Sequence, residues 1–213
     1  MKIRWHGHAC FEISNELTII TDPHDGKSIG IKPPAVKGDI VLVSHDHYDH
    51  NCVRAVKGDK VEIVKESGIK KIKNVTIKGI RTYHDSEQGS KRGANIIFAF
   101  MLDDVSFCHL GDLGHALNEE QAKALGAIDI VFIPVGGTFT INGKESWEVV
   151  KVVRPKVIVP MHYKIAGLSL PIAALDDFLE KRPDDVGVSR VGNEIEFEKE
   201  DLPEKTEIWV FTL

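Results

Sequence analysis

The sequence predicts a layered α/β fold, and three observations carry that reading. The first half is a series of short apolar, β-branched runs separated by polar or glycine-bearing turns. The second half alternates such runs with short helical patterns. His or Asp recurs where the apolar runs end, the usual place for active sites in layered α/β folds.

The elements follow in order. Lys2–His6, Ala9–Ser14 and Leu17–Thr21 read as short strands, and Thr21-Asp22-Pro23 ends the third on a carboxylate. A polar loop with Gly26, Gly30 and Pro33-Pro34 leads to the apolar run Asp39–Ser44. A short helix is expected from about Asn51 to Val56, then two or three strands through residues 60–83. Asn95–Leu102 and Val105–Leu110 predict a hairpin across Asp103-Asp104. Asn118–Gly126 has a capping residue, early acids and a closing glycine, which mark a helix. Asp129–Pro134 and Lys156–Pro160 read as strands around a helix, Lys144–Arg154, that Pro155 stops. Pro171–Arg182 predicts an amphipathic helix, and residues 186–212 return to strands.

A chain of 213 residues, 42% apolar, can build one sizeable core, so a single domain over residues 1–213 is expected. No stretch approaches the length of a membrane span, and the N-terminus lacks the apolar region of a signal peptide. The expected location is the cytoplasm. Cys10, Cys52 and Cys108 are odd in number and far apart, so they read as buried thiols, with Cys52 a conceivable ligand because it follows His50 closely. A net charge of −5 argues against nucleic acid as a partner and leaves a small molecule as the expected one. Oligomeric state is not legible. Residues 54–92 hold 11 Lys or Arg against 5 Asp or Glu, mostly a solvated face. Within it Lys91 and Arg92, between Gly89 and Gly93, either hold an anionic substrate group or ride on a surface loop.

The chemistry is concentrated in His45-Asp46-His47-Tyr48-Asp49-His50, directly after an apolar run. Imidazole nitrogen and carboxylate oxygen are the ligands zinc, manganese and iron favour. In an extended segment i and i+2 point the same way, so His45 and His47 can grip one ion. Asp49 and His50, after a turn, can reach a second. Four side chains do not complete two coordination spheres, so further ligands are required downstream. Candidates stand at strand ends: His84 after Val75–Ile80, Asp112 after Val105–Cys108 and His162 after Val157–Val159.

This set, in this order, resembles the metallo-β-lactamase superfamily from about residue 3 to residue 212. The resemblance implies a four-layer αββα sandwich with its site at one edge between two sheets. It implies that His45, His47 and His84 hold one metal, that Asp49, His50 and His162 hold a second, and that Asp112 bridges both. Asp22 matches the family's strand-end Asp, which orients the loop carrying the hexad. Gly7-His8-Ala9, Gly89 with Arg92-Gly93-Ala94-Asn95, Gly111–His115, Pro134–Gly137 and Pro160–Tyr163 are similar to a branch of small prokaryotic hydrolases. That branch is related to ascorbate-6-phosphate lactonase and, more distantly, to the N-acyl-phosphatidylethanolamine phospholipase D type. No β-CASP-like insertion is present, which disfavours the nuclease branch. His47 stands where the flavodiiron branch usually has Glu, and no flavodoxin domain follows.

The expected mechanism is dinuclear hydrolysis. Two divalent cations, zinc ahead of manganese or iron, share a water and turn it into a hydroxide nucleophile near neutral pH. Asp112 suits a bridge because a carboxylate offers two oxygens. The expected substrate is a small anionic ester: a lactone, thioester or phosphodiester. His8 and His115 are candidate proton donors to the leaving group, against a packing role for each. His6, His24 and His109 are read as structural or surface residues. Gly137 and Phe139 are expected in the pocket wall, where glycine lets backbone approach a ligand. Two other readings use the same residues: a non-catalytic metal or ligand sensor, and a redox di-iron protein.

Overall fold

The computed structural model describes residues 1–213. Sixteen strands follow in chain order: β1 (Lys2–Trp5), β2 (Phe11–Ser14), β3 (Thr18–Thr21), β4 (Val36–Lys37), β5 (Ile40–Leu42), β6 (Val56–Lys57), β7 (Glu62–Val64), β8 (Gly68–Ile72), β9 (Val75–Tyr83), β10 (Ala94–Leu102), β11 (Val105–His109), β12 (Ile130–Pro134), β13 (Val157–Met161), β14 (Gly187–Gly192), β15 (Glu194–Glu196) and β16 (Glu207–Phe211). Three α-helices join them: α1 (Glu119–Leu125), α2 (Gly143–Val153) and α3 (Asp176–Leu179). No helix is long and apolar enough to cross a membrane.

Two mixed sheets face each other, one ordered β15-β1-β2-β3-β5-β7 and the other β14-β16-β13-β12-β11-β10-β9-β8. Phe11, Ile13, Ile19, Ile40 and Leu42 of the first sheet join Phe98, Phe107, Phe132, Val159 and Phe211 of the second in one core. Burying these side chains, five large aromatic rings among them, between the sheets supplies driving force at about 25 cal/mol per Å² of apolar area. Ile20, Val41 and Val43 point the other way, into a smaller cluster with Val36 and Val56. Burial on both faces explains why Ile40-Val41-Leu42-Val43 is continuously apolar.

The α/β sandwich expected from the sequence is the fold found, with its helices on one side. Trp147 of α2 stacks on Phe178 of α3 at 4.8 Å, and Ser146 of α2 donates to the Pro134 carbonyl at 2.8 Å, which fixes these helices to the second sheet. The outer layer of the first sheet is not α-helical. It is the two-stranded β4–β6 pair, in which Val36 faces Val56 and Lys37 faces Lys57 in parallel register. The same five residues, Ala-Val-Lys-Gly-Asp, occur at 35–39 and 55–59.

Two predicted helices shrink. The segment after the hexad has one 3-10 turn, Val53–Ala55, because Val56 is drawn into pairing with β4. Of Pro171–Arg182 only Asp176–Leu179 is α-helical. Ala173 donates to the Gly136 carbonyl at 2.8 Å and Ala174 bridges to Lys164, so tertiary bonds hold its first turn extended. The other predictions agree closely. Asn118 and Asn142 each make a full capping box at α1 and α2. The β10–β11 hairpin turns on Asp103 and Asp104, both at positive φ (44° and 59°), the backbone a two-residue hairpin turn demands.

Candidate metal centre

The C-terminal ends of β3, β5, β9, β11 and β13 converge at one edge of the sandwich. Asp22 follows β3, the hexad follows β5, His84 follows β9, Asp112 follows β11 and His162 follows β13. Nitrogen and oxygen atoms of His45, His47 and His84 lie within 4.8 Å of one another, as do those of His8, Asp49, His50 and His162. Asp112 stands between the groups. Its Oδ2 is 3.2 Å from Nε2 of His84, 3.2 Å from that of His162, 3.3 Å from that of His50 and 3.8 Å from that of His45.

The far side of three of these rings, His45, His50 and His84, explains why their Nε2 points inward. His84 Nδ1–H donates to the Phe139 carbonyl at 2.9 Å, and His50 Nδ1–H donates to Asp22 Oδ2 at 3.0 Å. Ser44 donates its hydroxyl proton to Asp22 Oδ2 at 2.6 Å, so its oxygen accepts from His45 Nδ1 at 2.9 Å. A carbonyl or carboxylate only accepts, so each of these rings carries a proton on Nδ1, and Nε2 is the nitrogen left to face the cluster. The buried Nε2 atoms of His45 and His50 and Oδ1 of Asp112 have no hydrogen-bond partner. Buried polar atoms without partners are costly, and a cation is the group that satisfies lone pairs from both sides at once. The donor set fits a divalent metal centre.

The electrostatics agree. Burial opposes charge on Asp112, but the imidazoles of His162 and His50 outweigh it and hold the carboxyl well below its ordinary range. Burial likewise opposes charge on Asp49, which hydrogen bonds and charge from His50 and His8 overcome. Burial drives His45 down to about 3 and lowers His47, so both rings are neutral at physiological pH.

Backbone geometry is unusual at the site. His8, Asp22 and His162 have φ of 55°, 37° and 53°, a left-handed region that non-glycine residues rarely occupy. Gly111, at φ +55°, allows Asp112 to arrive: a Cβ there would sit 2.4 Å from Asn95 Oδ1 and 2.5 Å from Ser44 Cβ. Asn95 Oδ1 accepts from the Asp112 N–H at 3.0 Å, and its amide donates to Thr82 Oγ1 and the Leu110 carbonyl.

Other sequence candidates fall differently. His8 is fully buried, driven down to about 3 by burial, and its Nε2–H donates to Asp49 Oδ2 at 3.1 Å. It lies against the Asp49 carboxylate within the group His8, Asp49, His50 and His162. His115 has neither ring nitrogen free: Nε2 accepts from the Tyr83 N–H at 3.1 Å and Nδ1 donates to the Ala116 carbonyl at 2.7 Å. Lys91 is exposed and paired with Glu87, so it rides on the surface. Arg92 lies over the Phe139 ring, 4.4 Å from its centroid. Gly137 (φ 61°) accepts from the Phe139 N–H at 2.6 Å and so forms the turn that presents the Phe139 carbonyl to His84. Cys52 joins no ligand group, and all three cysteines are free thiols. His24 and His109 are buried and donate to the backbone carbonyls of His6 and Ala9, while His6, half-buried, meets Glu12 at 3.0 Å. Ser44, Asn95 and Asp85 matter here although the sequence alone assigns none of them a role of its own. Ser44 and Asn95 hydrogen-bond across segments distant in the chain, while Asp85 accepts from backbone N–H groups of its own loop. A cavity of about 550 Å³ flanks the cluster, lined by His45, Asp46, Asn51, Val53, Ile63 and Ile69 among others.

Residues 2–162 match the family profile of the β-lactamase superfamily domain. The chain belongs to the metallo-β-lactamase superfamily. A metal-dependent hydrolase of the UPF0173 group from Thermoplasma acidophilum is 31% identical over 193 residues, covering 79% of this chain and 85% of the relative. The crystal structure of a Thermotoga maritima protein, provisionally described as a Zn-dependent hydrolase of this superfamily, superposes with a TM-score of 0.81 at 39% identity, covering 99% of this chain and 97% of that one. The diiron β-hydroxylase CmlA of Streptomyces venezuelae shares the fold alone, at 15% identity and a TM-score of 0.56 over 76% of this chain and 44% of its own. One fold thus carries hydrolytic and oxidative chemistries, and side chains at the site decide between them.

Proposed function

We propose that this chain is a metal-dependent hydrolase that holds two divalent cations and cleaves a small anionic ester: a lactone, thioester or phosphodiester. Zinc is the first candidate, with manganese and iron(II) open to the same nitrogen–oxygen set. One observation carries the reading: four imidazole Nε2 atoms stand 3.2–3.8 Å from a single carboxylate oxygen, Asp112 Oδ2.

His45, His47 and His84 hold one cation, Asp49, His50 and His162 the other, and Asp112 lies between them. When bound, such a pair polarises the ester and brings the pKa of a water towards about 7. The protein's part is orientation. Asp22 fixes His50 directly and His45 through Ser44; the Phe139 carbonyl fixes His84; His8 fixes Asp49. Rigid ligands lose little entropy on binding and keep the ions in reactive geometry. The cavity beside His45 is of small-molecule size, which suits a small substrate better than a polymer.

Elemental analysis of native protein tests the metal count, with close to two ions per chain expected. A panel of lactones, thioesters and phosphodiesters tests turnover, with activity lost to chelator and restored by metal. Fully loaded protein that turns over none of the panel would sink the hydrolase reading.

A further inference from the structure

The segment between His84 and β10 is a loop organised by one carboxylate. Asp85 Oδ1 accepts from the backbone N–H groups of Glu87 (2.8 Å) and Gly89 (2.9 Å), and Oδ2 from those of Lys91 (3.0 Å) and Arg92 (2.8 Å). Four bonds to one side chain set the register of the loop, and that register decides which of its two basic residues faces where. Lys91 turns to Glu87. Arg92 is left over Phe139, its Cζ 4.4 Å from the ring centroid.

Phe139 is itself immobilised. Its carbonyl accepts from His84 Nδ1, its N–H donates to the Gly137 carbonyl, and its side chain packs on the buried cluster of Ile29, Leu168, Leu170 and Ile172. The residue that aims a metal ligand therefore also seats a guanidinium. A guanidinium over an aromatic face keeps its in-plane N–H donors available, and their fork matches a carboxylate or phosphate. An exposed cation–π contact contributes little to stability, so loop packing alone does not account for an Asp85-set arginine beside His84.

We propose that Arg92, seated on Phe139 and registered by Asp85, receives the anionic group of the substrate, a carboxylate or phosphate, beside the His84 ligand. This rests on the hydrolase reading for the placement of substrate at the cluster. Arg92 is the specificity determinant and Asp85 a positioning residue that acts through it.

Calorimetric titration of metal-loaded protein with phenylphosphonate, and with neutral benzyl alcohol as control, tests the assignment without turnover. Phenylphosphonate binds and benzyl alcohol does not. Arg92→Gln weakens phenylphosphonate by about 10- to 100-fold with metal content and melting temperature kept, the loss expected for a charge-assisted fork. Arg92→Lys recovers part of that loss, since an ammonium supplies charge without the fork. Asp85→Ala weakens the probe as well, and the double variant Asp85→Ala/Arg92→Gln is no weaker than Arg92→Gln alone. The proposal is overturned if wild type does not bind the probe, if Arg92→Gln binds it equally, if Arg92→Gln loses metal, or if the two losses add. Failure here with ester hydrolysis intact removes only the anion receptor; intact probe binding with no hydrolysis removes only the hydrolase reading.

Discussion

Oδ2 of Asp22 stands 3.0 Å from Nδ1 of His50, on a residue whose backbone is itself left-handed at φ 37°. The same carboxylate takes the Ser44 N–H at 2.7 Å and the Ser44 hydroxyl at 2.6 Å. One buried side chain at the end of β3 thus sets two rings of the hexad, although it need not touch a metal. Asp22→Ala is expected to lower metal affinity about 10- to 100-fold, the usual loss when an outer partner of a ligating His is removed. Chelator competition monitored by a metallochromic dye reads it directly, and unchanged affinity would mean that the ring orientations are held elsewhere.

Metal binding should release protons. Burial would depress the His50 pKa, but the charge of Asp112 and hydrogen bonds to Asp112, Asp22 and Asp49 outweigh it and raise the value well above 6.5. In chelator-stripped protein His50 is therefore protonated at neutral pH, and a cation must displace that proton. Calorimetry in buffers of different ionisation enthalpy is expected to show net proton release and an affinity that climbs with pH. The stability of the stripped protein follows the same sign. The His50 contribution is complete below pH 6.5 and is lost as pH rises through the raised value. The Asp112 contribution, from a lowered pKa, is present above pH 3.8 and is lost as pH falls through the depressed value. A pH-independent affinity would contradict this charge arrangement.

Gly111→Ala should damage the site twice over. Its Cβ would meet Asn95 Oδ1 at 2.4 Å, the atom that anchors the Asp112 N–H, and the backbone sits at φ +55°. Overpacking of about 1–3 kcal/mol plus about 1 kcal/mol for the left-handed backbone predicts a melting point lower by roughly 4–16 °C, with weakened metal binding. Gly93→Ala is the control: its φ is +92° but no atom lies within 4 Å of the added Cβ. It should lose only the conformational part. Equal losses in the two variants would show that the contact with Asn95 and Ser44 is unimportant.

His115→Ala should leave hydrolysis nearly intact, because both ring nitrogens are occupied by backbone groups. A general acid would cost about 10²- to 10⁴-fold in kcat when removed. Steady-state kinetics on whichever ester of the panel is turned over separates the two. A fall of that size would return His115 to the catalytic machinery.

Much of this protein was legible before any coordinates. Apolar runs of period two and continuous runs ending in His or Asp marked the strands and their functional ends, because side-chain alternation and burial are local properties of the chain. Asn118 and Asn142 marked helix starts for the same reason: a cap is completed within three residues. The hexad supplied its own candidate ligands, since six consecutive residues are close in any fold. Only the tertiary structure decided the rest. It moved Val56 into a strand and held Ala173 extended, because bonds to Val36 and Gly136 come from segments twenty to forty residues away. It also separated Arg92 from Lys91, engaged His115 with backbone, and gave Ser44 and Asn95 their roles. Adjacent residues of one loop have indistinguishable sequence environments, and that Arg92 is the one that meets Phe139 depends on where a segment more than forty residues away packs in the folded chain.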